Sequence, residues 1–169
     1  NEAPHLVVAL GGSDYGGHTE SVILELQSLD CALNVDVFLP DGGAQEVVRS
    51  NNLKIEIRAS GAGFTQSLVN ADAVIVGAGT TVAEINYLEL PAIFVKLAGN
   101  QNENFALIQS LSLGRSLDAT IPSFRRELHH QIRLLADEAR LIRGSLTSGQ
   151  QLVDGRGAER VADILLGSK

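Results

Sequence analysis

Two glycine-rich segments, each following an apolar run, carry residue types that hold anionic ligands. The first is Gly11-Gly12-Ser13-Asp14-Tyr15-Gly16-Gly17-His18-Thr19. Gly12 and Gly17 have the spacing of a phosphate-cradling loop and Thr19 the place of its hydroxyl, but His18 stands where the lysine belongs. Without that cation the β- and γ-phosphates lose their counter-charge, and Asp14 adds repulsion. No apolar run ends in an aspartate suited to magnesium. Nucleoside triphosphate hydrolysis is thereby excluded, whereas a loop that wraps a diphosphate or a sugar is not. Ser13 also lacks the glycine that would make it a nucleophile elbow. The second segment, Gly77-Ala78-Gly79-Thr80-Thr81-Val82, begins like a dinucleotide fingerprint but puts Val82 where the third glycine belongs. The apolar run after it ends at Lys96 and offers no carboxylate for a ribose.

Thr81-Val82-Ala83-Glu84 has the form of a capping box, in which Thr81 accepts from the Glu84 N–H and the Glu84 carboxylate reaches back. A second role fits the same residues. Thr80, Thr81 and the helix start hold phosphate, while Glu84, one turn in, accepts from vicinal ribose hydroxyls with its two oxygens. The same oxygens cannot do both at once. Gly99-Asn100-Gln101-Asn102-Glu103-Asn104 is a run of amides. Each amide donates and accepts, which suits neutral hydroxyl- and amide-bearing ligands such as sugars. Helix capping by Asn and ordinary loop polarity account for the run without a ligand.

Other residues offer less. His129 and His130 are adjacent on a helical stretch, so they face different sides and cannot form an i, i+4 metal pair. Cys31 is the single cysteine, which rules out an intrachain disulfide framework and suits a reducing cytosol. Thirteen basic against twenty acidic side chains give a net charge of −7, which disfavours generic nucleic-acid binding and attraction to an anionic membrane. A small anion is still allowed, because backbone N–H groups bind phosphate without net positive charge. No run approaches a membrane span and no signal peptide opens the chain. Methionine is absent: a removed start, a start inside a longer chain, or modified methionines left out of the sequence would each account for it, and the resemblance given below favours the second.

These groups need elements to position them. Residues 5–10, 33–39, 54–59, 73–76 and 92–97 read as strands. Residues 18–29, with Thr19 as cap, and 45–51, 64–70, 81–90 and 104–111 read as helices. From residue 123 onward the pattern is helical only, with a break over 147–155 and a last helix over 158–166. The alternation predicts one doubly wound α/β domain over residues 1–169, with a parallel sheet covered on both faces and a helical C-terminal tail. Ligands of such sheets bind beyond the C-terminal strand ends. The loops there, 11–18, 40–44, 60–63, 77–81 and 98–103, hold many of the seventeen glycines, as close backbone approach to a ligand requires.

The second glycine segment through Glu84, followed by Leu88-Glu89-Leu90-Pro91-Ala92-Ile93-Phe94-Val95, resembles the C-terminal half of glycosyltransferase-B-fold proteins acting on UDP-sugars. The peptidoglycan N-acetylglucosaminyltransferase shares that general pattern. Gly11-Gly12-Ser13-Asp14, Asn100-Gln101 and the terminal Val153-Asp154-Gly155-Arg156-Gly157-Ala158-Glu159-Arg160-Val161 are similar to the UDP-sugar hydrolase of pseudaminic acid biosynthesis and its spore-coat polysaccharide relatives. The resemblance runs through essentially the whole chain, and the terminal motif is its most specific part. It implies two Rossmann-like domains across a cleft, the C-terminal one binding UDP or a UDP-sugar.

Carried over residue by residue, the resemblance puts Glu84 on the ribose, and Gly79, Thr80 and Thr81 near the diphosphate. It puts the backbone around Gly61, Ala62 and Phe64 near uracil. Gly12, Ser13 and Asp14, with Asn100 and Gln101, fall near the sugar and phosphates. Three residues depart from the pattern. Gly99 stands where Asp commonly precedes Asn-Gln, Glu89 replaces a glycine after Leu88, and Tyr15 replaces a proline. The first bears on sugar contacts and the others on turns. In the hydrolase the general base is a histidine of the N-terminal domain, and His18, in the first βα loop, is not that residue. The resemblance therefore implies a UDP-sugar-binding domain of a hydrolase in surface-polysaccharide or nonulosonic acid biosynthesis. It implies no catalytic residue, metal or cofactor within this chain. The alternatives are the donor domain of a UDP-dependent glycosyltransferase and a non-catalytic module fused to another enzyme.

Overall fold

Val7 and Val8 point to opposite sides of their strand and both are fully buried, so the sheet around them needs cover on two faces. The computed structural model describes residues 3–11, 14, 16–40, 46–49, 52–61, 63–142 and 153–167. In chain order the elements are β1 (His5–Ala9), α1 (His18–Gln27), β2 (Leu33–Leu39), β3 (Glu46–Arg49), β4 (Leu53–Ala59), α2 (Phe64–Val69), β5 (Ala73–Gly77) and α3 (Thr81–Tyr87). There follow β6 (Ala92–Lys96), a 3-10 turn (Gly99–Gln101), α4 (Asn102–Ser110), β7 (Arg115–Asp118), α5 (Phe124–Ile142) and α6 (Gly157–Leu166). The sheet order is β3-β4-β2-β1-β5-β6-β7, parallel except where β3 pairs antiparallel with β4.

Two apolar layers sandwich this sheet. On one face Leu6, Val8, Val35 and Ile75 pack with Val22 and Leu26 of α1 and with Leu128, Ile132 and Leu135 of α5. On the other, Val7, Val74, Val76 and Phe94 meet Leu68 of α2, Ile85 of α3 and Ile108 of α4. Each such side chain contributes about 1.5–3 kcal/mol when fully buried. The doubly wound α/β architecture is the expected one, with helices following the sheet as its C-terminal tail. Among the described residues no helix is long and apolar enough to cross a membrane.

Three local expectations are corrected. The described part of segment 45–51 is the edge strand β3, not a helix. Its apolar residues are the neighbours Val47 and Val48, which a strand separates onto two faces. Val48 packs against the core and Val47 is exposed. A helix would have needed a further apolar residue one turn away. The sheet consequently carries one antiparallel edge. Strand β7 had no counterpart in the pattern, because Leu117 alone of its four residues is buried. Finally, Thr19 does not cap α1; Gly17, in the left-handed region at φ 63°, is the capping position.

Candidate functional site

The chain leaves β1 toward β2 on one side, and leaves β5 toward β6 on the other, although β1 and β5 are paired. The loops after these two strands therefore diverge, which makes their ends the topological switch point where ligands of doubly wound sheets bind. The strand ends come together closely. A Cβ on Gly77 would lie 2.7 Å from the Leu10 carbonyl oxygen, so only glycine permits this approach. Gly11, at φ 117°, then turns the chain out of the sheet.

In the first loop Asp14 is fully occupied. Its Oδ1 accepts from the His18 N–H at 2.9 Å and its Oδ2 from the Thr19 N–H at 2.6 Å. Burial by itself would raise its pKa. The hydrogen bonds from Thr19 and His18 outweigh that and hold the carboxyl below the usual range. An anionic side chain thus already sits at the start of α1, where a bound phosphate would otherwise go. His18 turns its ring away to meet Phe124 of α5 edge-on, centroids 5.4 Å apart. Gly12 and Ser13 lie outside the described residues.

The second loop contrasts with the first. Thr80 is the residue before α3, with no side-chain cap, and Thr81 is the first helical residue. Thr80 and Glu84 are exposed, Thr81 is half-buried, and the three side chains make no hydrogen bond among the described residues. The capping box is not formed. That expectation is corrected: the helix starts one residue earlier than the motif requires, so Thr81 is inside the helix and cannot act as its cap.

The amide run ties the next loop to this one. Gln101 accepts from the Leu97 N–H at 2.7 Å through Oε1, and its Nε2 lies 3.9 Å from where a Gly79 Cβ would be. Asn104, which the sequence placed only within the polar run, donates to the Gly79 carbonyl at 3.2 Å. Asn100 is exposed. Lys96, at the end of β6, pairs with Asp118 and lies over the Phe105 ring at 5.4 Å, so its charge is balanced within the sheet edge.

After β4, Gly61 (φ 111°) and Gly63 (φ 86°) turn the chain into α2. The Phe64 N–H donates to the Gly61 carbonyl at 3.2 Å, and the Phe64 ring packs edge-on against Phe38 at 5.2 Å. Ala62 lies outside the described residues. The terminal motif is seated on α3. A Cβ on Gly155, at φ 72°, would come within 3.1 Å of the Tyr87 ring. Asp154 accepts from Arg160 and from the Arg156 N–H, and these two donors hold its carboxyl below the usual range. His129 bonds Glu25 of α1 at 2.8 Å, a partner sequence spacing could not show. Among the described residues no group of three or more His, Cys, Asp or Glu side chains could hold a metal ion.

No family model and no curated protein matches the chain. Solved structures share its fold. MurG of Acinetobacter baumannii superposes with a TM-score of 0.73 at 19% identity, over 99% of this chain and 50% of that one. The calicheamicin glycosyltransferase CalG4 gives 0.61 at 21% identity, over 98% of this chain and 43% of its own. UDP-GlcNAc 2-epimerase of Methanocaldococcus jannaschii, solved with UDP-GlcNAc and UDP, gives 0.57 at 12% identity, over 98% and 46%. The chain spans half the length of these proteins or less. Its fold is that of the Rossmann-like C-terminal half of a glycosyltransferase-B molecule.

Proposed function

We propose that the chain is the donor domain of a UDP-sugar-dependent glycosyltransferase, completed by a second Rossmann-like domain across the crevice. The observation that carries the reading is the unengaged set Thr80, Thr81 and Glu84 on the loop and first helical turn after β5, at the switch point. The fold shared with MurG and CalG4 supports it.

In this reading Glu84 accepts from the ribose hydroxyls, and Gly79, Thr80 and Thr81 receive the diphosphate. The backbone around Gly61, Ala62 and Phe64 meets the uracil. Gly12, Ser13, Asn100 and Gln101 meet the sugar and phosphates, while Asp14 is taken up by the first N–H groups of α1. An acceptor hydroxyl attacks the anomeric carbon, the bond to the β-phosphate oxygen breaks, and UDP leaves. Amide and hydroxyl donors at the start of α3 stabilise the charge it carries. Deprotonating the acceptor needs a base. Asp14 is occupied, Glu84 is assigned to ribose and His18 faces Phe124, so the base comes from the second domain. The chain alone binds without turnover.

The resemblance of residues 153–161 to the UDP-sugar hydrolase favours a second reading, hydrolysis, in which water replaces the acceptor. The two differ in one assay. With the complete protein and a UDP-sugar, UDP release without any acceptor marks the hydrolase, and release only with acceptor marks the transferase.

Glu84→Ala tests the site. Because Glu84 caps nothing, thermal stability stays at the wild-type value, while UDP affinity measured by calorimetry falls about tenfold or more, the scale of hydrogen bonds to a charged group. A loss of stability with unchanged affinity defeats the assignment, as does a wild-type chain that gives no heat with UDP.

A further inference from the structure

Strand β2 carries Asn34, Asp36 and Phe38 on the face opposite its core-facing Val35 and Val37. Asp36 is 6% exposed. A carboxylate so placed must recover its lost hydration from bonded partners. Its Oδ2 accepts from the Ser67 hydroxyl at 2.7 Å and lies 3.1 Å from His5 Nε2. Its Oδ1 accepts from Arg58 Nε at 3.1 Å, and Arg58 continues to Glu56 at 2.7 Å. Sequence reading missed this cluster, since its members are scattered over four elements and align only once the strands are in register.

Ser67 is the member that belongs to α2, and it is itself 6% exposed. Six residues of helix are too few to hold their own shape, so α2 depends on what fastens it to the sheet. Phe38 grips its first residue, Phe64, through ring packing. Ring packing fixes distance but tolerates rotation and sliding. The Asp36–Ser67 bond is directional and sets the rotation of the helix about its axis. Ser67 also donates its N–H to Gly63 at 2.9 Å, which links the helix to the loop before it. Asp36, Arg58 and Ser67 themselves line an open groove of about 550 Å³, together with Lys54, Gln66 and Asn70.

We propose that Asp36 and Ser67 are positioning residues for nucleotide recognition: by fixing α2 they aim the backbone at Gly61, Gly63 and Phe64 toward the base. This rests on the proposed assignment of that loop to uracil. A purely structural role could be filled by an apolar pair, often at no loss of stability; the directional bond adds register.

The test uses Ser67→Ala, which removes one hydroxyl, and Asp36→Asn. Ser67→Ala decides the matter if Asp36→Asn fails to fold. Amide shifts of the loop are followed by NMR without ligand. UDP and ADP, which share ribose and diphosphate, are then titrated into each protein. The expected result is displaced loop amides, UDP affinity lowered about tenfold, and ADP affinity changed by less than about twofold, so that base preference narrows. Equal weakening of both nucleotides, or unmoved amides with unchanged preference, overturns the proposal. A wild-type chain that does not prefer UDP over ADP overturns the loop's assignment to the base, and this proposal with it. Wild-type preference that Ser67→Ala retains in full overturns this proposal alone.

Discussion

Two carboxylates stand on the loops that part at the switch point, and their environments divide the labour. Asp14 satisfies the first free N–H groups of α1, which an exposed helix start would otherwise offer to an anion. Glu84 is exposed and bonded to nothing among the described residues. Asp14→Asn keeps one acceptor but turns an amide N–H₂ toward the other backbone donor, so stability falls by about 1 kcal/mol, the usual worth of a helix cap. The pH dependence has a definite sign. The folded pKa of Asp14 lies below its unfolded value of 3.8, so its contribution is complete above that pH and disappears as pH falls through the folded value. Urea denaturation of both proteins should therefore show the gap at neutral pH and its closure under acid conditions. A gap that persists below the folded pKa would mean that the charge is not what matters.

At the scale of elements, α3 and α4 end in the same unusual way. The Leu90 N–H reaches back to the Ile85 carbonyl and the Glu89 N–H to that of Asn86. The Leu113 and Ser112 N–H groups repeat this with Ile108 and Gln109. Both are Schellman endings, whose pivot is normally glycine. Here Glu89 (φ 53°) and Ser112 (φ 52°) occupy it. A left-handed residue with a Cβ costs roughly 1–2 kcal/mol, so Glu89→Gly should raise stability by about 1 kcal/mol without altering nucleotide affinity. Thermal melts check the first statement and titration with UDP the second. The sequence made Glu89 legible as a departure at a turn, and the structure supplies the strain. Buried central strands were equally legible, because runs such as Ala73 to Gly77 contain nothing that could face water. The edges were not. β7 has one buried residue, and β3 has only two adjacent valines, too short a run to display a period. Within the candidate site, the glycine loops and the place of Glu84 one turn into α3 were visible in the spacing. Whether Glu84 capped its own helix was not, because that choice turns on a shift of one residue in where α3 begins.

For the molecule as a whole, α6 presents an apolar face that no described residue covers. α6 buries none of its residues, and Ile164, Leu165 and Leu166 are 79–80% exposed while Val161 is 56% exposed. Ile164, Leu165 and Val161 fall on one side at i, i+3, i+4 spacing, the pattern of a helix that packs against something. The segment before it approaches Tyr87 of α3 at Gly155, and Asp154 bonds Arg156 and Arg160 at the start of the helix itself. α6 is thus an apolar helix that follows a segment lying near α3, the helix that carries the proposed ribose contact. A second domain facing the crevice, as the proposed function requires, is the occupant that reading supplies. Ile164→Glu with Leu165→Glu should leave the melting temperature of this chain unchanged, since neither side chain packs against it. In the two-domain protein the same pair should lower the melting temperature and cut turnover, while UDP binding by this domain alone stays as in the wild type. Unchanged turnover in the complete protein would show that α6 does not carry the domain contact, and the crevice would then need another means of closure.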